Sequence, residues 1–170
     1  MPREIVHRGR KIQVVRDTIV AQGKTVERDM VIHPGAVAIL PIVGAEHICL
    51  LRNQRFIVGE ELWEIPAGTL EPAEAPDLAA VRELAEETGY SARRWRKLGA
   101  FFPSPGILSE TTHLYVAEEL TPGPLNLEPE EEIKPQIVPW RDALAWALDG
   151  TIRDAKTVLA ILLWERIRKP

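Results

Sequence analysis

A chain of 170 residues with 45% hydrophobic and 27% charged residues has the composition of one globular domain large enough to bury a substantial core. Its net charge of −4 and pI near 5.6 exclude a general nucleic-acid binder, because neutralising phosphates takes a clustered basic surface. The charged start "MPREIVHRGRK" lacks the apolar stretch of a signal peptide, and "VLAILLW" is too short to span a bilayer, so a cytoplasmic protein is expected. The one cysteine, Cys49, cannot close an internal disulfide; its setting, "AEHICLL", reads as a buried strand rather than a reactive thiol site.

In chain order, His7 falls in a terminus expected to be flexible. "KIQVVRDTIV" and "KTVERDMVIH", separated by "AQG", predict an N-terminal antiparallel hairpin. "GAVAILPIV" and "HICLLRNQRF" predict a second strand pair turning at Gly44, and "ELWEIPAG" a short strand ending at Pro66 and Gly68. Residues Pro76 to Thr88 predict a helix: Pro76 suits the first turn, Asp77 complements the N-terminal dipole and Gly89 suits the position after the C-cap. "WRKLGAFFPSPG" and "ETTHLYVAEEL" predict strand, loop and strand, followed by an acidic loop, "NLEPEEEIKPQ". "RDALAWALDG" and "RDAKTVLAILLWERIRK" predict two helices, the first closed by Gly150. The order implies an α/β (α+β) sandwich with a mixed sheet between helices.

The predicted central helix concentrates charge. At about 100° per residue, Glu87 lies near +40° and Glu86 near −60° from Glu83, so the three carboxylates share one face. Leu78, Val81 and Ala85 fall opposite and are expected to pack on the sheet. A solvated acidic face is the plain alternative. Against it stand the like-charge pair Glu83 and Glu87 at i,i+4, the single helix cation Arg82, and a glycine-containing loop feeding the acidic turn. Clustered carboxylate oxygens suit a hard divalent cation, so a metal site accounts for the cluster better.

Gly68, Glu74, Arg82, Glu83, Leu84, Glu86, Glu87, Gly89 and Tyr90 occur at the spacing G-x5-E-x7-R-E-U-x-E-E-x-G-U, where U is apolar. The segment resembles the Nudix box in full, with Tyr90 the looser fit at the last position. The resemblance implies a Nudix fold that hydrolyses a nucleoside diphosphate linked to another group, with Mg²⁺, or with Mn²⁺ or another divalent ion in its place. It implies Glu83 and Glu87 as principal ligands and catalytic carboxylates, Glu86 beside them, and the carbonyl of Ala67 as a further ligand. Arg82 is expected to orient a glutamate, and Glu74 either joins the site or holds the loop against the helix.

Pro105, sixteen residues after Gly89 in "FFPSPG", resembles the proline marker of the Nudix ADP-ribose pyrophosphatases. "HPGAVAILP", "LLRNQRF", "ELWEIPAGTLE" and "DGTIRDAKTVLAILLW" are similar to the same subfamily. That resemblance implies cleavage of ADP-ribose to AMP and ribose 5-phosphate. Arg55 would then face phosphate or ribose and Glu71 the terminal ribose, with Arg28 a candidate from the hairpin. It also implies a homodimer, with residues 1–33 as a dimerising hairpin region and 34–170 as the hydrolase domain. Alternatives stay open: Arg55 as a surface cation beside Glu60 or Glu61, Arg28 as an exposed strand charge, and Glu128, Glu130, Glu131 or Glu132 as the base. A broader nucleoside diphosphate sugar pyrophosphatase, or a nucleotide sensor without catalysis, is the alternative function. The intact Arg-Glu-x-x-Glu-Glu unit speaks against the sensor. Trp63, Trp95, Trp140, Trp146 and Trp164 are expected to be structural, and His33, His47 and His113 lack metal-ligand spacing.

Overall fold

The computed structural model describes residues 3–127 and 132–168. Its N-terminal part is a three-stranded antiparallel sheet of β1 (Glu4–Arg8), β2 (Gln13–Ala21) and β3 (Lys24–Ile32). The β2–β3 turn is Gln22–Gly23, with φ of 51° and 74°, the left-handed pair that matches the twist of a tight hairpin. The predicted hairpin is therefore present but enlarged. The segment expected to be flexible forms β1, with His7 opposite Val14.

The main body is built on β4 (Ala36–Val43) and β5 (His47–Arg55). They pair only at Ile42↔Ile48 and Val43↔His47, next to the turn at Gly44, and then splay apart. Beyond that point β5 pairs with β6 (Glu60–Glu64), whereas β4 pairs with β7 (Ala67–Thr69). The split between β4 and β5 is thus filled by the run from Glu60 to Thr69. The predicted "ELWEIPAG" strand is two short ones, broken at Pro66, whose carbonyl accepts from Ile39 N at 2.8 Å.

Helix α1 (Pro76–Thr88) follows and ends at Gly89, which takes φ 71° and donates its N–H to Ala85 O. Strands β8 (Tyr90–Phe101) and β9 (Thr112–Pro122) form an antiparallel pair, and β9 runs parallel to β4 from Ala36↔Thr112 to Pro41↔Ala117. Strand β10 (Ile133–Pro139) pairs with β5; α2 (Trp140–Asp149) and α3 (Ala155–Arg168) complete the chain. Gly150 closes α2 with φ 85°, as predicted.

Alternation along β4 makes the layers. Val37 and Ile39 pack with Ala79, Ala80, Leu84 and Tyr115 on the α1 side. Ala38 and Leu40 pack with Trp140, Ala143, Ile161 and Trp164 on the α2–α3 side. Both faces of β4 are covered, so its residues are apolar in succession instead of alternating with polar ones. The tryptophans are structural, as expected: Trp140 and Trp164 are buried, and Trp63 stacks on Trp146 at 5.1 Å. Cys49 is fully buried, which pushes its thiol pKa up to about 12.

One expectation for α1 is overturned. Leu78, Val81 and Ala85 face solvent, Leu78 being 67% exposed. The buried arc is Ala79, Ala80, Glu83, Leu84, Glu87 and Thr88. Two alanines side by side let the helix backbone approach the sheet closely, and that choice of face carries Glu83 and Glu87 inward. The N-terminal sheet joins the body through Val31, which accepts from Ser109 N at 2.9 Å and donates to Ile107 O at 2.8 Å. Among the described residues no helix is long and apolar enough to cross a membrane.

Candidate active site

Strand β7 runs past α1 and presents two backbone positions to the helix carboxylates. Ala67 donates its N–H to Glu87 Oε2 at 2.8 Å. Gly68 leaves room for Glu83: a Cβ there would lie 1.8 Å from Glu83 Oε1 and 2.4 Å from Oε2. The glycine that opens the sequence pattern is therefore required by a carboxylate fifteen residues later. Glu83 and Glu87 are 7% and 3% exposed, unusual for glutamates and costly unless charge or hydrogen bonds compensate.

Arg82 supplies part of that compensation. Its Nε and Nη2 fork onto Glu74 Oε1 and Oε2, both at 2.9 Å. Its Nη1 donates to Glu83 Oε1 at 2.7 Å and to Glu86 Oε2 at 3.0 Å. One planar cation thus holds three carboxylates, an arrangement that a lysine's point charge cannot reproduce. The hydrogen bond from Arg82 holds the Glu74 carboxyl below its ordinary pKa, and Glu74, then Glu83, raise that of Arg82. Glu74 Oε2 also accepts from Glu71 N at 2.9 Å, so Glu74 ties the loop to the helix, the structural alternative named for it.

The oxygen set of Glu83, Glu86 and Glu87 has the hardness that magnesium requires. Its two buried members lie against β7, in a space kept open by the missing Cβ of Gly68. Among the described residues no three His, Cys, Asp or Glu side chains already converge on one point. The Arg82 guanidinium bonds both Glu83 and Glu86, and Glu87 turns to the Ala67 amide. The donor chemistry fits the ion, and closing on it requires these side chains to shift.

Arg55, at the end of β5, lies side-on to Glu64, with Nε on Oε1 at 2.8 Å and Nη2 on Oε2 at 2.7 Å. Its partner is neither Glu60 nor Glu61; those pair with Arg153 and Arg52. The Glu64 hydrogen bond raises the Arg55 pKa; burial opposes it, and the charges of Glu64, Glu87 and Asp154 add to the rise, which places Arg55 within electrostatic reach of α1. Glu64 is 2% exposed; burial pushes its pKa up, but Arg55 and Lys156 outweigh that and hold it below the ordinary value. Sequence reading missed Glu64, Asp154 and Lys156. The available signal was a charge between the apolar Trp63 and Ile65.

A cleft of about 500 Å³ opens over this site, lined by Arg10, Lys11, Thr69, Glu71, Arg82 and Glu83 among others. Glu71 is brought to it. Arg28 is not among its lining residues; it lies exposed on β3 opposite Asp17. Arg10 and Lys11, from the β1–β2 turn, stand there instead. Of the acidic loop, Glu128, Glu130 and Glu131 fall outside the described residues, and Glu132 is exposed with its carbonyl accepting from Gln54 N at 3.3 Å. The loop's first part is tied to the helix end: Asn126 N donates to Glu86 O at 3.2 Å.

Residues 32–160 match the family model of the NUDIX domain. Over 162 residues the chain is 38% identical to the ADP-ribose pyrophosphatase of Bacillus subtilis (strain 168), covering 94% of this chain and 88% of that one. Over 161 residues it is 36% identical to a methanol dehydrogenase activator of Bacillus methanolicus, covering 93% and 87%. The crystal structure of an ADP compounds hydrolase superimposes with a TM-score of 0.82 at 25% identity, covering 98% of this chain and 91% of that chain.

Proposed function

The chain belongs to the NUDIX family, and from that premise we propose that it hydrolyses the pyrophosphate bond of ADP-ribose to AMP and ribose 5-phosphate, with Mg²⁺ as cofactor. The observation that carries this reading is the buried pair Glu83 and Glu87, lodged against Gly68 and Ala67, with Glu83 and Gly68 lining a cleft large enough for a nucleotide. The similarity to a full-length ADP-ribose pyrophosphatase supports the substrate.

Glu83, Glu86, Glu87 and the Ala67 carbonyl would hold the ion. Bound there, it offsets the carboxylate charge, holds phosphate oxygens and lowers the pKa of water. Glu83 and Glu87 take the proton of the attacking water as its oxygen bonds to phosphorus and the bridging P–O bond breaks. Arg82 fixes Glu83 and Glu86, and Arg55 meets phosphate oxygens from the side of Glu87. Glu71, on the cleft wall, accepts from ribose hydroxyls, and Arg28 belongs to the surface a second chain would use. Exposed Ile5, Val6 and Val20 on an N-terminal sheet support a homodimer assembled through that sheet, with residues 34–170 as the hydrolase domain. The single buried Cys49 suits a reducing cytoplasm.

Product analysis on a panel of ADP-ribose and other nucleoside diphosphate sugars, with and without EDTA, tests the reading. AMP and ribose 5-phosphate from ADP-ribose, abolished by EDTA and restored by Mg²⁺, are expected. Preferential cleavage of another sugar nucleotide would move the assignment to the broader pyrophosphatase, and binding of ADP-ribose without turnover would make it a sensor.

A further inference from the structure

The guanidinium of Arg55 is held from behind by a helix a hundred residues further along the chain. Glu64 Oε2, which accepts from Arg55, also accepts from Lys156 Nζ at 2.9 Å. The same Nζ donates to Asp154 Oδ1 at 2.8 Å. Asp154 Oδ2 in turn caps the first turn of α3 by accepting from Thr157 N at 3.0 Å, and Thr157 Oγ1 accepts from Ile65 N at 2.9 Å. Two cations and two carboxylates thus form a neutral quartet, centred on the buried Glu64, at the junction of β5, β6 and α3.

The geometry gives Lys156 a specific task. Its ammonium bridges the Glu64 and Asp154 carboxylates, at 2.9 and 2.8 Å. Without that charge two acids would face each other in a poorly solvated pocket, and Glu64 would have to turn, take a proton or lean further on Arg55. Each of these changes the plane of the side-on fork. That fork uses Nε and Nη2 of Arg55 and leaves Nη1 out of it. Arg55 remains 43% exposed, so it can meet a ligand on the side where Glu87 acts on it.

We propose that Lys156, acting through Glu64, is a positioning residue that aims the Arg55 guanidinium at the phosphates of the bound substrate. The inference rests on the proposed pyrophosphatase activity for the substrate's phosphates and for the kinetic assay, whereas the link from Lys156 through Glu64 to Arg55 is tested without it. It predicts that Lys156 and Arg55 do not contribute independently. Residues of one ion network show coupling in a double-mutant cycle, whereas residues that merely support the fold at separate places add.

The experiment is a cycle on kcat/KM for ADP-ribose with Lys156→Met, Arg55→Ala and the double variant, together with the ¹⁵N–¹H resonance of Arg55 Nε, assigned by its absence in Arg55→Lys. Lys156→Met is expected to lower kcat/KM tenfold or more in the wild-type background and less than twofold in Arg55→Ala. The Nε–H resonance is expected to shift or broaden in Lys156→Met. Additive losses, or an unmoved resonance, would overturn the proposal. If Lys156→Met does not fold, Glu64→Gln takes its place in the same cycle with the same outcomes. A wild-type protein inactive on ADP-ribose would count against the substrate assignment alone, because the resonance still reports whether Lys156 orients Arg55.

Discussion

Gly68→Ala isolates the geometry of the site from the stability of the fold. Gly68 has ordinary negative-φ or extended backbone, so alanine brings no backbone strain there; the atoms nearest the added Cβ are those of the Glu83 carboxyl group, at 1.8, 2.0 and 2.4 Å. To reach an ordinary contact of about 3.4 Å, the nearest oxygen must retreat by roughly 1.6 Å, more than the misplacement of about 1 Å that can cost a catalytic site a hundredfold. A kcat at least about a hundredfold below wild type is therefore expected. The cost in folding is smaller. Displacing Glu83 weakens its bond to Arg82, worth about 1–3 kcal/mol, while alanine restricts the unfolded chain by about 0.4–1 kcal/mol in the opposite sense. A net change on the order of 1 kcal/mol lowers Tm by only about 2–4 °C for a chain of this size. The assay pairs steady-state hydrolysis with a thermal melt. Wild-type turnover from a folded Gly68→Ala protein would refute the placement of Glu83 in the chemistry.

The remaining expectations concern the carboxylates, acid stability and assembly. Glu83→Gln and Glu87→Gln are each expected to lower kcat by about a hundredfold or more with ADP-ribose binding largely retained, while Glu128→Gln, Glu130→Gln, Glu131→Gln or Glu132→Gln singly costs clearly less; abolition by one loop change with Glu87→Gln still active moves the base to the loop. Glu64 and Glu74 have folded pKa values below the ordinary 4.5, so the stability they contribute is present above that pH and is lost as pH falls below it. Thermal melts from pH 7 to pH 3 should therefore show Tm falling below about pH 4.5, less steeply in Arg82→Gln, and an equal slope in that variant contradicts the assignment. Sedimentation velocity is expected to show a dimer that dissociates when Val20 and Val6 are both replaced by Asp; an active wild-type monomer at assay concentration rules the dimer out.

The elements legible in the sequence were those with local punctuation. Pro76, Asp77 and Gly89 marked α1 to the residue, and Gly150 marked the end of α2. Non-local pairing was less legible. That β4 and β5 part after two residue pairs depends on β9, some seventy residues away, and on β7 entering the gap. The choice of buried face on α1 was misread for a related reason. Hydrophobicity favoured Leu78 and Val81, whereas close approach to the sheet favoured the small Ala79 and Ala80. The carboxylates were legible as a spacing pattern, but the reason for Gly68 was not, since it lies in the position of Glu83's oxygens. Glu64 and Lys156 were hidden because 92 residues separate them in the chain; only the fold brings them to 2.9 Å.

The misread face also explains how so much acid can attract a cation. Had Glu83 and Glu87 faced water, their charges would be screened, and they would compete with solvent for any cation. Placed on the sheet side of α1, they are desolvated, so each added positive charge acts through less water and interacts more strongly. Arg82 offsets only part of this, because its five donors are divided among Glu74, Glu83, Glu86 and Thr69 O. The same cation also keeps Glu83 and Glu86 from spreading apart by mutual repulsion. On the proposed reading, Glu83 and Glu86 would turn from Arg82 and Glu87 from the Ala67 amide to hold a divalent ion, whose charge would offset the repulsion of the substrate's phosphates. Helix burial, glycine and arginine act together on one quantity, the charge presented to the pyrophosphate.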